Sequence, residues 1–199
     1  MMTVEVFTTH GSAESRRALA DRLLADLLAE EHAPEAVLTG ASEFVHVVVH
    51  EPVAWATGGP AGSPRHLVRV TVPGSWNAVE FGPYIIPRVT EIVASFEDDP
   101  TRLYREPHCV VQIVGLREHA VGTLGRATTS TEITRLMTEN YRRSGERVTA
   151  PEGSVVDPVC GMVVELATAA FTLDHDGSTY AFCAPSCRKV FAEDHAIAV

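Results

Sequence analysis

The chain has 199 residues, of which 45% are hydrophobic and 21% charged, a composition that is typical of a globular protein and argues against wholesale disorder. Its formal net charge at pH 7 is -10, whereas general nucleic-acid-binding proteins normally carry positive charge. No stretch reaches the roughly 20 apolar residues that a membrane span needs, and the N-terminus lacks the regions of a signal peptide. We therefore expect a cytoplasmic protein with reduced cysteines and no nucleic-acid or membrane partner.

The first two thirds of the chain repeat a strand, helix, strand pattern, with the second copy about 64 residues after the first. The helices are predicted over residues 12–28, with Ser12 as N-cap, and 85–96. The flanking strands are predicted at 4–7 and 44–50 in the first copy and at 68–72 and 109–114 in the second. A crossover helix implies parallel strands within each unit, so the repeat predicts one sheet with both helices on the same side.

The remaining third divides into a helix, a linker and a small second domain. Apolar side chains at Ile133, Leu136 and Met137 predict a helix over 130–141. Residues 142–156 are polar and include two glycines and one proline, which is linker composition. We therefore predict an α+β protein with three parts: a body at 1–141, a linker at 142–156 and a tail at 157–199.

The tail is predicted to contain two strands followed by a helix. Segments 171–173 and 178–182 have strand character, and the turn between them ends at Gly177. Pro185 suits the first turn of a helix that runs to about residue 194. The tail is therefore a small ββα unit, too short to have a large core of its own.

Three of the four cysteines lie in this tail, and the predicted elements bring them together. Cys183 falls at a strand end, Cys187 falls in the first helical turn, and a knuckle around Cys160 can reach the same place. The helix N-terminus favours the thiolate, which is the metal-binding form. Neither His175, at the hairpin tip, nor His195, late in the helix, is an easy fourth ligand. Three thiolates suit Cu(I) or an open Zn(II) site, and packed thiols without metal are the alternative.

The residues Asp157-Pro158-Val159-Cys160-Gly161-Met162, followed by Tyr180-Ala181-Phe182-Cys183, Cys187 and Phe191, closely resemble the YHS domain family. That family is a small, treble-clef-like, heavy-metal-associated module. The resemblance covers the tail and implies that Cys160, Cys183 and Cys187 are the metal ligands. Independently of the resemblance, the thioether of Met162 is a further candidate donor for a soft ion. The resemblance implies metal binding or sensing without fixing the metal.

The two fused βαβ units resemble the tautomerase superfamily, whose long members assemble as trimers. The segment Val47-Val48-Val49-His50-Glu51-Pro52, followed by Trp55 and Gly58-Gly59, is similar to the motif after the second strand in that family. The resemblance covers residues 2–140 and implies a homotrimer. The catalytic N-terminal proline of the family is missing, because the chain begins Met1-Met2-Thr3. We therefore name no catalytic residue and expect little or no tautomerase activity.

The two resemblances together imply a cytoplasmic protein that binds Cu(I) or Zn(II) in its tail and carries that tail on an inactive tautomerase-like scaffold. A metal-handling protein that donates or accepts the ion is a possible partner. Two alternatives remain open. The first alternative is an enzyme of the tautomerase or isomerase type that acts on a small enolisable acid. The second alternative is a protein-interaction module with structural zinc.

Other candidate residues favour structural roles. His46 and His50 are four residues apart on one strand, which separates them by about 13 Å and excludes a shared metal ion. Cys109 is expected to be a buried thiol, because it points away from its neighbour His108 on a strand. A basic cluster is interpreted as a solvated helix end and linker: Arg135, Arg142, Arg143 and Arg147.

Overall fold

The computed structural model describes residues 1–29, 33–58, 62–77, 79–146 and 148–198. Four strands form the main sheet in the order β2-β1-β3-β4: β1 (Met2–Thr8), β2 (Val45–His50), β3 (His66–Pro73) and β4 (Cys109–Leu116). The pairs β1·β2 and β3·β4 are parallel, and β1·β3 is antiparallel. The predicted double βαβ arrangement is therefore confirmed, with the two units joined through their first strands.

Two helices of the body, α1 (Ala13–Leu27) and α3 (Phe81–Ala94), cover one face of this sheet. A third helix, α2 (Glu35–Ser42), packs against a later helix instead. Ser12 caps α1 by accepting a hydrogen bond from the Ser15 N–H at 3.1 Å, as predicted. Leucines of α1 and the apolar stripe of α3 pack against the buried side chains of β1 and β3: Val4, Val6, Val68, Val70 and Val72. The helix α2 lies in a segment for which the sequence analysis predicted no element.

The opposite face of the sheet has no helix over it among the described residues. Successive side chains along a strand point to opposite faces of a sheet, and residues paired on neighbouring strands point to the same face. Every second side chain of the four strands therefore lies on this open face. Val48 of β2 is 42% exposed there, and Val110 of β4 is 48% exposed. His46 is exposed on the same face, and the ring of His50 stacks on Phe7 with centroids 4.6 Å apart.

A hairpin of β5 (Val121–Thr123) and β6 (Arg126–Thr128) leads into helix α4 (Ser130–Ser144). A capping box formed by Thr129 and Glu132 begins α4, and Gly145 ends it with a left-handed backbone conformation. The helix is three residues longer than predicted. It packs closely against α2, since a Cβ atom at Gly40 would overlap the carbonyl oxygen of Met137.

The tail contains two short antiparallel hairpins and a helix. The hairpins are β7 (Ser154–Val156) with β8 (Val163–Glu165), and β9 (Phe171–His175) with β10 (Ser178–Phe182). Helix α5 (Pro185–Asp194) follows. The predicted β9–β10 hairpin and α5 are confirmed. Strand β7 falls at the end of the segment predicted as a linker, and the division into domains stays a prediction.

The core of the tail is shared with the body. Val37 of α2 and Tyr141 of α4 are buried in the same apolar cluster as Val159, Phe182, Val190 and Phe191 of the tail. Ion pairs from α4 to the end of α5 add to this contact: Arg135–Glu193 at 2.7 Å, Arg135–Asp194 at 2.7 Å and Arg142–Asp194 at 2.5 Å. In the part of the chain that the structure describes, no helix is both long and apolar enough to cross a membrane.

Candidate metal centre

A tight loop at residues 157–162 forms the predicted knuckle. Its ends are closed by a hydrogen bond from the Asp157 N–H to the Met162 carbonyl oxygen, at 2.8 Å. The Gly161 N–H donates to the Asp157 carbonyl oxygen, also at 2.8 Å. Gly161 has a φ of +74°, which side-chain-bearing residues rarely adopt. The backbone of the loop therefore turns back on itself and directs the Cys160 thiol into the tail.

The carboxylate of Asp157 joins the knuckle to the end of β10. Its Oδ1 atom accepts a hydrogen bond from the Val159 N–H, and its Oδ2 atom accepts one from the Cys183 N–H, both at 2.9 Å. The first bond stabilises the loop and the second fixes the loop against Cys183. Asp157 is fully buried, so these bonds also satisfy a carboxylate that water does not reach.

The three predicted thiols converge with Asp157 at one place. The Sγ atoms of Cys160 and Cys183 are 3.4 Å apart, and those of Cys183 and Cys187 are 3.8 Å apart. The donor atoms of Asp157, Cys160, Cys183 and Cys187 all lie within 4.8 Å of one another. Sulfur atoms at corners of a tetrahedron around an ion with bonds of about 2.3 Å are about 3.8 Å apart, so the cluster fits a metal ion.

The protonation states of the cluster are linked to one another. Hydrogen bonds from the Cys183 and Cys187 thiols hold the pKa of Cys160 well below its ordinary value. The same hydrogen bonding to Cys160, together with burial, raises the pKa values of Cys183 and Cys187. Burial, followed by repulsion from Cys160, raises the pKa of Asp157 to about 7. Metal binding would release the protons of Cys183 and Cys187, so we expect the metal affinity to fall as the pH drops.

Asp157 is the donor that the sequence analysis missed. Asp157 lies within the hexapeptide that resembles the YHS family, but that resemblance implies only the cysteines as ligands. The signal available in the sequence was an acidic residue three positions before Cys160, a spacing that lets its carboxylate fold back over the loop. What the sequence could not indicate was the bond to Cys183, because the two residues are 26 positions apart.

The remaining candidates of the tail lie outside this cluster. The rings of His175 and His195 have centroids 5.1 Å apart and both pack against Phe191, and neither belongs to the group of donor atoms around Asp157. The side chain of Met162 is partly buried against the tail core, and its role as a further donor stays a prediction. Two of the four grouped residues lie in the knuckle, Cys183 directly follows β10, and Cys187 lies in the first turn of α5.

The candidates of the body are also separate from the cluster. Cys109 packs against the body core but is half-buried rather than fully buried as expected, and burial raises its pKa to about 11. His108 interacts instead with Arg102, through Nδ1 and Nη1 at 2.7 Å. Among the predicted basic cluster, Arg135, Arg142 and Arg143 are paired with carboxylates, whereas Arg147 lies outside the described residues, as does Gly59 of the glycine pair.

Three solved structures illustrate what the chain is similar to. With Pt0534 inactivated by 2-oxo-3-pentynoate it shares 18% sequence identity at a TM-score of 0.49, over 65% of this chain and 98% of that chain. With a fused 4-OT asymmetric trimer it shares 21% sequence identity at a TM-score of 0.46, over 63% of this chain and 94% of that chain. With MIF2 of Leishmania major it shares 16% sequence identity at a TM-score of 0.45, over 64% of this chain and 97% of that chain. No protein-family model and no curated protein matches the chain, so membership of the YHS or tautomerase family stays a prediction.

Proposed function

We propose that the chain is a metal-binding protein that holds one soft or borderline ion in its tail, between Cys160, Cys183 and Cys187. The observation that carries the proposal is the convergence of these three sulfur atoms with the Asp157 carboxylate. The backbone hydrogen bonds of Asp157 satisfy its oxygen atoms, but they do not neutralise the negative charge that the Asp157 carboxylate and the cysteine thiolates carry together when buried. A cation at the centre of the cluster compensates for that charge.

The donor set leaves two candidate ions, Cu(I) and Zn(II). Three thiolates without a fourth donor suit Cu(I), which soft sulfur ligands select. Three thiolates with an aspartate form a closed tetrahedral set, which is characteristic of structural Zn(II). The interpretation of the three thiolates as a Cu(I) or open Zn(II) site assumed that no fourth protein donor was near, and the position of Asp157 removes that assumption. Zinc is therefore at least as well supported as copper, and a structural zinc site is the second candidate function.

The body is proposed to be a tautomerase-like scaffold that assembles as a homotrimer in the reducing cytoplasm, where thiols persist. The observation that supports assembly is the sheet face without a helix, on which apolar side chains such as Val48 and Val110 are exposed. Symmetric copies that pack through this face would bury them. A metal-handling protein that donates or accepts the ion remains the proposed external partner, and no catalytic residue is assigned to the body.

The test is a titration of the full chain with Zn(II) and with Cu(I), each against a chelator of known affinity, after purification without chelator and analysis of bound metal. We expect one ion per chain and a loss of binding in Cys160→Ser, Cys183→Ser and Cys187→Ser. The matched control is Cys109→Ser, which removes a thiol outside the cluster and should bind metal like the unchanged chain. Equally weak binding by all five proteins would contradict the proposal.

A further inference from the structure

A cleft of about 420 Å³ lies between the body and the tail. Trp76, Phe81 and Tyr84 line it from the body, and Phe171 and Cys183 are among the residues that line it from the tail. Four of its eight described lining residues are aromatic, although aromatic residues make up only 7% of the chain. The volume is in the range of small-molecule sites, and the lining favours a flat, apolar ligand.

Glu80 gives the cleft its charge. It is exposed at the start of α3, and it makes no ion pair with any residue that the structure describes. The cleft has no lysine, arginine or histidine among its described lining residues. A carboxylate or phosphate ligand would therefore meet an uncompensated negative charge, whereas a cation would be attracted to it.

The exposed ring of Tyr84 is held in place at the edge of the cleft. Arg88 donates a hydrogen bond to the Tyr84 hydroxyl, and its guanidinium carbon lies 5.4 Å from the ring centroid. The same guanidinium also bonds to Asp26, which compensates its positive charge. Tyr84, which is 49% exposed, thus presents a fixed aromatic surface without adding a free cation that would repel a positively charged ligand.

We propose that this cleft binds a small, planar aromatic cation, with its rings among the aromatic side chains and its charged nitrogen beside Glu80. The two features that select the ligand act together: the ring faces attract a cation through their quadrupoles, and the Glu80 carboxylate attracts it by its charge. This inference is independent of the metal centre, which shares only Cys183 with the cleft. Each proposal can therefore fail while the other holds.

The test uses three probes of the same ring size and different charge: 1-methylquinolinium, uncharged quinoline and 1-naphthoate. The full-length variant Trp55→Phe leaves Trp76 as the sole tryptophan, so its emission reports occupancy of the cleft. Affinity is measured by calorimetry at mildly alkaline pH, where quinoline is uncharged. We expect the cation to change the Trp76 emission and to bind about tenfold more tightly than quinoline, while 1-naphthoate binds too weakly to saturate.

The decisive variant is Glu80→Gln, which should bind 1-methylquinolinium and quinoline equally well. Its matched control is Glu139→Gln, which changes the net charge by the same amount at a half-buried residue of α4 and should keep the preference for the cation. Neither variant is expected to change the zinc affinity. No binding of the cation, equal binding of all three probes, a preference that survives in Glu80→Gln, or binding without a change in Trp76 emission would each overturn the proposal.

Discussion

At the scale of single residues, Gly161 meets two constraints that no other residue type satisfies. Its φ of +74° is strained for any residue with a side chain, and a Cβ atom there would lie 2.6 Å from the Tyr141 hydroxyl oxygen. Cys160, the adjacent residue, is a proposed ligand. The close approach of the knuckle to helix α4 therefore depends on this glycine.

We predict that Gly161→Ala destabilises the chain by about 3 kcal/mol and weakens metal binding, because both the backbone and Tyr141 have to move. The control is Gly177→Ala, which has a similar φ of +76° but no atom within 4 Å of its Cβ position. Backbone strain alone should cost that variant about 1 kcal/mol. Urea unfolding of the two variants provides the comparison, and equal losses would contradict the steric part of this argument.

Asp157 is the residue whose role separates the two candidate ions. Replacing it by Asn removes the charge and turns one of its two hydrogen-bond acceptors into a donor that faces a backbone N–H. We predict that Asp157→Asn destabilises the tail by about 2 kcal/mol. Its zinc affinity should fall by about tenfold or more, whereas its affinity for Cu(I) should change by less than about threefold.

Competition titrations with both ions distinguish the possible roles of Asp157. A parallel fall in the affinities for Zn(II) and Cu(I) would mean that its carboxylate only organises the loop. Glu152→Gln is the matched control, since it removes an exposed acidic group that is close in sequence and outside the cluster.

At the scale of elements, a buried network joins the start of β3 to the region after α3. His66 Nε2 lies 2.5 Å from Glu97 Oε1, and Arg102 Nη2 lies 2.5 Å from Glu97 Oε2. Burial lowers the pKa of His66. Burial acts to raise the pKa of Glu97, but the hydrogen bonds from His66 and Arg102 outweigh it and the pKa is lowered. The Nδ1 atom of His66 is buried without a partner, so a proton there would find no acceptor.

We predict that the body loses stability as the pH falls below about 6.5, the ordinary value for histidine, and loses more below about 4.5. The pKa values of His66 and Glu97 are lower in the folded chain than in the unfolded chain. As the pH falls, the unfolded chain therefore binds more protons than the folded chain, and the equilibrium shifts toward unfolding. The measurement is the free energy of unfolding in urea across this pH range. It should change less with pH in His66→Gln than in His46→Gln, the control variant at an exposed histidine. Identical pH dependences would contradict the assignment to His66.

Helix α4 is the element that connects the two parts of the molecule. One of its faces packs on α2, and Tyr141 enters the tail core beside Cys160 and Cys187. Its arginines pair with carboxylates at the end of α5. The tail therefore depends on α4 for part of its core, which agrees with the expectation that so short a segment does not bury enough apolar surface alone.

At the scale of the whole molecule, the open sheet face is the surface through which we propose that copies of the chain assemble. We predict that the chain forms a homotrimer of about 65 kDa, three times its mass of 21.5 kDa, as measured by light scattering at micromolar concentration. Val110→Glu should shift the protein toward the monomer, because it places a charge on that face. Leu124→Glu, at a position 77% exposed in the β5–β6 turn, is the control and should remain assembled. A monomeric wild-type chain would contradict the prediction.

Local patterns in the sequence determined the elements of this protein and much of its site. Helical periodicity predicted α1 and α3, and Pro185 predicted α5, with bounds that agree with the structure to within a few residues. The repeat of strand, helix and strand predicted the double βαβ sheet. The order of strand end, proline and helix put Cys183 and Cys187 close together. These features follow from contacts between residues near each other in the chain, which spacing and propensity encode directly.

Only the tertiary structure decided which distant residues meet. It joined Asp157 to Cys183, brought Tyr141 against Gly161, and placed the aromatic cleft between two segments that are far apart in the sequence. The short α2 and the β5–β6 and β7–β8 hairpins were missed because they are stabilised by packing against other elements, so their local patterns are weak. The physical reason is the same in each case: burial and hydrogen bonding between distant segments depend on how the elements pack, and that information is not carried by any one stretch of sequence.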